Sequence, residues 1–370
     1  MKILFVAPSL HGGGAERVLV NLVRYFSECG FAIQLATFDS RGTFRSELPD
    51  SITLHDLNLP NHRDPRRILR VAGLIRKAKP EVVLSFMRNT NLVSILAREI
   101  AGASPAMVIS EHSNPVASFE WFGGGWYKGL GIRLLYPRAD AVVAVSEGVA
   151  SVLKERWSVP ADKICVIRNP VDIDRIERLS REPVPHPWFS DLGTPVIIGV
   201  GRLHALKDFA LLLRAFERIR RKRHARLVIL GEGPERAELE RKADELGIQD
   251  DLLMPGFQSN PFVWLARSSV FVLSSRYEGL SNVIIEAMAS GCPVVSTDCP
   301  YGPGEIIQDG VSGLLVPVGD EQALEQAIER VLDDSRLRDD LIEGGRKRAQ
   351  DFSIERVGQS YENLLRKLVK

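Results

Sequence analysis

The stretch "TPVIIGVGRLHALKDFALLLRAFERI", residues 194–219, runs from an apolar β-branched segment through a glycine-containing loop into an amphipathic helical pattern. The chain opens in the same way, with "MKILFVAPSLHGGGAERVLVNLVRYF" at residues 1–26. A strand feeding a helix through such a loop is the repeating unit of α/β folds, and its appearance at the head of each half predicts two similar domains. Around these stretches, short apolar runs alternate with longer helical patterns. Predicted strands in the first half are 3–7, 33–38, 82–86, 107–110, 141–145 and 164–167; in the second they are 196–200, 226–230, 270–273, 294–296 and 313–316. The alternation argues for an α/β protein with parallel sheets flanked by helices, built as two Rossmann-like domains facing across a cleft. The expected division is 1–176 and 177–353, with Pro-rich "REPVPHPWFSDLG" (181–193) as connector and a helix at 354–370 returning to the first domain. Ligands of open α/β sheets bind beyond the carboxyl ends of the strands, so the strand-to-helix loops are where chemistry is expected.

A length of 370 residues suits two domains better than one core. With 45% apolar and 26% charged residues and a net charge of +1, the composition is that of a soluble globular protein and excludes a nucleic-acid binder working by bulk charge. The halves differ, however: residues 1–176 carry 22 Lys/Arg against 17 Asp/Glu, and residues 177–370 carry 26 against 30. The first half is the better suited to an anionic partner. Cys29, Cys165, Cys292 and Cys299 contain no C-x-x-C pair and read as thiols of a reducing compartment. No run approaches the roughly 20 apolar residues of a membrane span, and the first residues read as a strand rather than a signal peptide, so a cytoplasmic protein is expected.

Three stretches carry candidate chemistry. In "HGGGAERVL" (11–19), three glycines allow a ligand close to the backbone and the following helix start favours an anion; a turn needing positive φ explains them as well. It is not a dinucleotide fingerprint, because Arg17 stands where the third glycine belongs. In "GVGRLHALKDF" (199–209), Arg202 and Lys207 flank one strand-to-helix loop and either converge on a diphosphate or are solvated surface charges. No P-loop pattern occurs, which counts against an ATPase. In "SSRYEGLSNVIIEAMASGCPVV" (274–295), Ser281 or Asn282 is a natural N-cap and Gly291 a natural stop. Glu286 then falls one turn inside an apolar helix, where a bare carboxylate costs several kcal/mol unless a ribose diol or a buried arginine satisfies it. Glu278 precedes that helix, near its free N–H groups.

Together these elements resemble a family. The spacing Glu278-x7-Glu286, "GRL…KD" at 201–208, the Gly-rich first loop, "EHSNP" at 111–115, "RNPVD" at 168–172 and "DGVSGLLVP" at 309–317 are similar to family-four retaining glycosyltransferases of the GT-B fold, in order over nearly the whole chain. The resemblance implies transfer of a sugar from a nucleotide donor with retention at the anomeric carbon. It implies that Glu286 holds the ribose hydroxyls, Arg202 and Lys207 the diphosphate, and Glu278 the hydroxyls of the transferred sugar. Gly279, Leu280, Ser281 and Asn282 would offer amides to phosphate and sugar, His112 would reach the sugar from the first domain, and Gly13 with Gly14 would close over the diphosphate. The base would stack at Gly256–Phe257. "EGLS" departs from the Glu-Gly-Phe-Gly of many relatives, which bears on the sugar accepted. "EHSNP" and "CPYGPGEII" (299–307) resemble members using UDP-linked galactose or N-acetylhexosamines.

Bond cleavage leaves a nucleoside diphosphate of growing negative charge, which Arg202, Lys207 and helix N-termini stabilise in the transition state. That set replaces a metal, so no cofactor or metal is expected; Asp172-Ile173-Asp174 is a three-residue pattern near the domain junction. Retention in the family is usually described by a front-face path, in which the leaving phosphate oxygen helps deprotonate the acceptor. For the acceptor side, residues 61–79 read as a basic amphipathic helix with Arg63, Arg67, Arg70 and Lys77 opposite Leu69 and Leu74 or Ile75. Trp121, Phe122, Trp126 and Tyr127 cluster beside glycines and suit a lipid interface, a lid or ordinary core. The resulting expectation is docking on an anionic cytoplasmic membrane face to reach a polyprenyl-diphosphate-linked glycan, against the plain alternative of a solvated helix face. Rival functions are a sugar-nucleotide epimerase or hydrolase on the same fold, an NAD-dependent oxidoreductase, and a non-catalytic partner subunit.

Overall fold

Thirteen strands, all paired parallel, make two sheets in the computed structural model, which describes residues 1–112, 126–191 and 193–369, without the side chains of Trp126, Tyr127 and Lys128. The first sheet contains β1 (Lys2–Ser9), β2 (Ala32–Asp39), β3 (Thr53–Asp56), β4 (Val82–Phe86), β5 (Ala106–Glu111), β6 (Ala141–Ala144) and β7 (Ile164–Val166), in the order β3-β2-β1-β4-β5-β6-β7. The second contains β8 (Val196–Val200), β9 (Arg226–Leu230), β10 (Leu252–Gly256), β11 (Val270–Leu273), β12 (Val294–Thr297) and β13 (Leu314–Val316), in the order β10-β9-β8-β11-β12-β13. Strands covered by helices on both faces need continuous apolar runs, and β4, β6, β11 and β12 are buried at every position.

Both sheets follow the same path. From the first strand the chain moves outward through two strands, then crosses back to lie on the other side of where it began. The reversal falls beside β1 and β4 in one sheet and beside β8 and β11 in the other. At such a point the flanking crossovers diverge, so a crevice opens at the carboxyl ends of those two strands. Two strands absent from the sequence reading, β3 and β10, are the outermost on this side of each sheet, and both are largely half-exposed.

The chain divides into one body of Met1–Val171 with Ser353–Lys370 and a second of Asp172–Phe352. The boundary therefore lies five residues before the expected 176. Asp172 begins the second body because its carboxylate caps the helix Ile173–Ser180, accepting from the Arg175 amide at 2.9 Å. That helix is tied to its own body by Asn260, which donates to the Leu179 carbonyl, and by Arg267, which donates to Ser180. Residues 181–193 are likewise not a connector between bodies; they lie inside the second, with His186 and Phe189 packed on Trp264. The helix Ile354–Val369 belongs to the first body. Its stripe Ile354, Val357, Tyr361 and Leu365 is buried in that core, and the Ile354 amide donates to the Val171 carbonyl at 3.0 Å.

Candidate functional site

Because β8 and β11 are neighbours, the loops that follow them meet at the second sheet's reversal. The loop after β8 carries Arg202 and Lys207. It is held from the side by the loop after β9, main chain against main chain: the Gly201 amide donates to Leu230 and the Leu203 amide to Glu232. Gly231 has φ 140°, and a Cβ there would sit 1.9 Å from the Gly201 carbonyl oxygen. Only glycine fits this contact. The Gly231 amide continues the line to the Gly256 carbonyl at the end of β10, so three strand ends form one floor, with Phe257 exposed at its edge.

Lys207 turns back over this floor, its Cε at 3.4 Å from where a Gly201 Cβ would stand. Its ammonium donates to Glu278 Oε1 at 2.6 Å, and the Ser275 hydroxyl donates to the same oxygen at 2.6 Å. The two loops are stitched further by Ser274 donating to the Lys207 carbonyl, the Arg276 amide donating to Leu206, and an Arg276–Asp208 ion pair at 2.7 Å. Arg202 is exposed and has no side-chain partner among the described residues. The structure thus brings Lys207 and Glu278 together from positions 71 residues apart, on the loop that also carries Arg202.

Glu278, Gly279 and Leu280 lead into the helix Asn282–Ala289, whose N-cap is Ser281. The expected cap is positional only. The Ser281 side chain makes no capping hydrogen bond, and its hydroxyl oxygen is buried without a partner. The unpartnered hydroxyl thus stands at a helix N-terminus, the end that favours an anion. The loop after β12 braces the stretch from behind: Tyr301 and Gly302 have φ 66° and 113°, and a Cβ on Gly302 would touch Glu278 Cβ at 3.3 Å. Glu286 is the fifth residue of the helix, half-buried between the buried Ile285 and Ala287.

In the first body, the loop after β1 repeats the arrangement. Gly12 takes φ 116°, Gly13 is the extended N-cap, and the helix Gly14–Glu28 starts behind it. Gly42, φ 129°, packs its main chain on this loop as Gly231 does in the other body; a Cβ on it would lie 2.2 Å from the Leu10 oxygen. His112 follows β5. Its ring stacks on Phe86 with centroids 5.4 Å apart, and its Nε2 shares a hydrogen with Ser110 Oγ at 2.9 Å. Ser110 Oγ lies 3.4 Å from the Tyr361 hydroxyl of the C-terminal helix. Burial pushes the imidazole down to about 4, so His112 is neutral at ordinary pH, and its Nδ1 is buried without a partner. Residues 113–115 of "EHSNP" lie outside the described residues.

The basic helix departs from expectation. It spans Arg66–Ala78, so Arg63 precedes it, and Arg67 lies on its buried stripe with Val71, Leu74, Ile75 and Ala78. Leu69, expected on the apolar face, is 62% exposed among Arg66, Arg70, Arg76 and Lys77. Arg67 goes inward because its guanidinium finds the Phe38 ring, 3.5 Å away at the end of β2. Arg67 has no hydrogen bond or ion pair from its side chain among the described residues, and Nε is fully buried. Trp121 and the side chain of Trp126 lie outside the described residues. Asp172 of the D-x-D triplet serves as a helix cap. Ser275 and Gly231, which follow strand ends, and Tyr361 of the C-terminal helix are supporting groups that carry no local sequence signal of such a role.

Residues 12–175 match the model of Glycosyltransferase Family 4, and residues 181–348 match that of Glycosyl transferases group 1. The N-acetylgalactosamine-N,N'-diacetylbacillosaminyl-diphospho-undecaprenol 4-alpha-N-acetylgalactosaminyltransferase of Campylobacter jejuni is 31% identical over 361 residues, covering 95% of each chain. The chain belongs to glycosyltransferase family 4. A second such relative, the GalNAc-alpha-(1->4)-GalNAc-alpha-(1->3)-diNAcBac-PP-undecaprenol alpha-1,4-N-acetyl-D-galactosaminyltransferase of the same organism, is 27% identical over 99% of this glycosyltransferase and 98% of its own length. The Anabaena HepE protein in complex with UDP superposes with a TM-score of 0.81 at 21% identity, covering 99% of this chain and 100% of that one. Sucrose-phosphate synthase of Thermosynechococcus elongatus gives 0.84 at 21% identity over 99% and 98%. These likenesses establish the GT-B fold for the family-4 enzyme. Among its described residues no helix is long and apolar enough to cross a membrane.

Proposed function

We propose that the enzyme moves a hexose or N-acetylhexosamine from a UDP-sugar, with retention of anomeric configuration, to a glycan carried on a polyprenyl diphosphate. The observation that carries the donor half is the cluster at the ends of β8 and β11. There, Lys207, Arg202 with no side-chain partner among the described residues, and a helix start with an unpartnered Ser281 hydroxyl offer a diphosphate its counter-charges and hydrogen bonds. Cations and helix-start donors gathered at one point favour the charge that grows on the leaving UDP over that of the bound donor. Glu278 takes hydroxyls of the departing sugar and Glu286 those of the ribose. Phe257 stands at the end of β10 for the base, and Gly13 with Gly14 closes on the diphosphate. His112 contributes a neutral imidazole to the sugar. The acceptor hydroxyl passes its proton to the leaving phosphate oxygen on the same face, and the cations replace a metal in this scheme.

The acceptor half rests on relatives that act on diphospho-undecaprenol glycans and on Arg67, a buried cation with no acceptor of its own. Arg63, Arg70 and Lys77 are exposed on the same segment, and the exposed Leu69 amid cations suits contact with an anionic membrane face. The test is incubation with labelled UDP-galactose, UDP-glucose and their N-acetylhexosamine counterparts, with and without an undecaprenyl-diphosphate glycan, in EDTA. Label moving into the lipid fraction in α linkage is expected. Donor consumption without acceptor, or transfer only from GDP- or ADP-sugars, would overturn the assignment.

A further inference from the structure

The Lys207–Glu278 pair raises a question that the donor site alone leaves open: the same ammonium is needed by the diphosphate and is already held by a carboxylate. Both side chains are largely enclosed, at 22% and 10% exposure, and the two loops are fastened to each other, so the contact is part of the fold rather than a passing surface pair. A second donor, the Ser275 hydroxyl, reaches the same Glu278 oxygen, and the Ser275 main chain is held by Thr297, whose hydroxyl donates to the Ser275 carbonyl at 2.6 Å.

Resting on the donor-site reading above, we propose that Glu278 competes with the nucleoside diphosphate for Lys207, and that this exchange makes the site hold a UDP-sugar while rejecting UDP. The charge balance is simple. When a diphosphate draws Lys207 away, Glu278 keeps only a neutral hydroxyl and faces the phosphates as a like charge. Sugar hydroxyls donating to the carboxylate make good that loss, so an intact donor satisfies both partners at once. After transfer the sugar has left, Glu278 is again short of donors, and recapture of Lys207 weakens the hold on UDP. Arg202, having no such partner, stays with the diphosphate throughout. The carboxylate therefore acts at two stages, as a sugar ligand in the loaded site and as an intramolecular rival of the product in the emptied one.

The test is calorimetric titration of UDP and a non-hydrolysable UDP-sugar into wild type, Glu278→Gln, Lys207→Met and the double variant, with circular dichroism to verify folding. Glutamine keeps the size and the Ser275 contact while removing the charge. UDP is expected to bind Glu278→Gln about fivefold to tenfold tighter than wild type, the scale of one partly enclosed ion pair, whereas the UDP-sugar does not tighten. In the Lys207→Met background the same change leaves UDP affinity nearly unaltered, since no lysine is released. Equal or weaker UDP binding by Glu278→Gln overturns the proposal, as does tightening of the same size without Lys207, which marks plain repulsion. Failure of the wild type to bind either ligand instead sinks the donor-site reading itself.

Discussion

The guanidinium of Arg67 lies 3.5 Å from the centre of the Phe38 ring with no hydrogen-bonding partner among the described residues. A buried cation left in this state contributes little to stability, because its desolvation is offset only by the ring and by the more distant Asp64.

Arg67→Met keeps the stem on Phe38 and removes the charge, so its melting temperature is expected to equal or exceed that of the wild type. If the guanidinium serves an anionic acceptor, the acceptor KM rises by about tenfold or more, the worth of a charged hydrogen bond, while the donor KM stays constant. Steady-state kinetics with each substrate varied in turn separate the two. A parallel loss of donor affinity would contradict the assignment.

Gly231→Ala puts a methyl 1.9 Å from the Gly201 oxygen on a backbone at φ 140°. The expected cost is roughly 2–4 kcal/mol, with weakened UDP binding because the Arg202 loop shifts. Gly247→Ala is the control. That residue also has positive φ, 65°, but nothing lies within 4 Å, so strain alone of about 1 kcal/mol is expected. Urea denaturation followed in parallel with UDP titration distinguishes a packed contact from mere backbone preference.

His112 gives a pH dependence of known sign. Its folded value of about 4 lies below the ordinary 6.5, so as pH falls the unfolded chain takes up the proton first. The stability due to a neutral His112 is complete above about 6.5 and is lost as pH falls towards about 4, on the order of 3 kcal/mol. His112→Gln is expected to flatten the fall of the urea midpoint across that window. The kcat/KM profile of the wild type should show no inflection from His112 above about pH 6.

The strands and their parallel pairing were legible in the sequence because central strands buried on both faces leave unbroken apolar runs. Thr53–Asp56 and Leu252–Gly256 were not, since edge strands pack on one side only and these contain His55, Pro255 and Gly256. The cations of the β8 loop and the glutamates before and within the Asn282 helix were readable as residue types at strand ends. Their pairing was not. Contact between Lys207 and Glu278 depends on which strands are neighbours, a fact of topology rather than of local pattern. Arg67 was misplaced for a different reason: helical spacing assigns charge outward, while an aromatic ring one strand away had drawn this arginine in.

Gly42 and Gly231 fasten the loops that follow the first strands of the two sheets through peptide groups alone. Such a fastening is indifferent to the side chains that project from those loops. Divergence can therefore exchange a side chain such as that of Leu206, whose main-chain carbonyl alone is bonded by Arg276, and retune what is recognised while the scaffold is inherited unchanged. A lineage built this way explores new sugars at the rim without reopening the problem of how to fold.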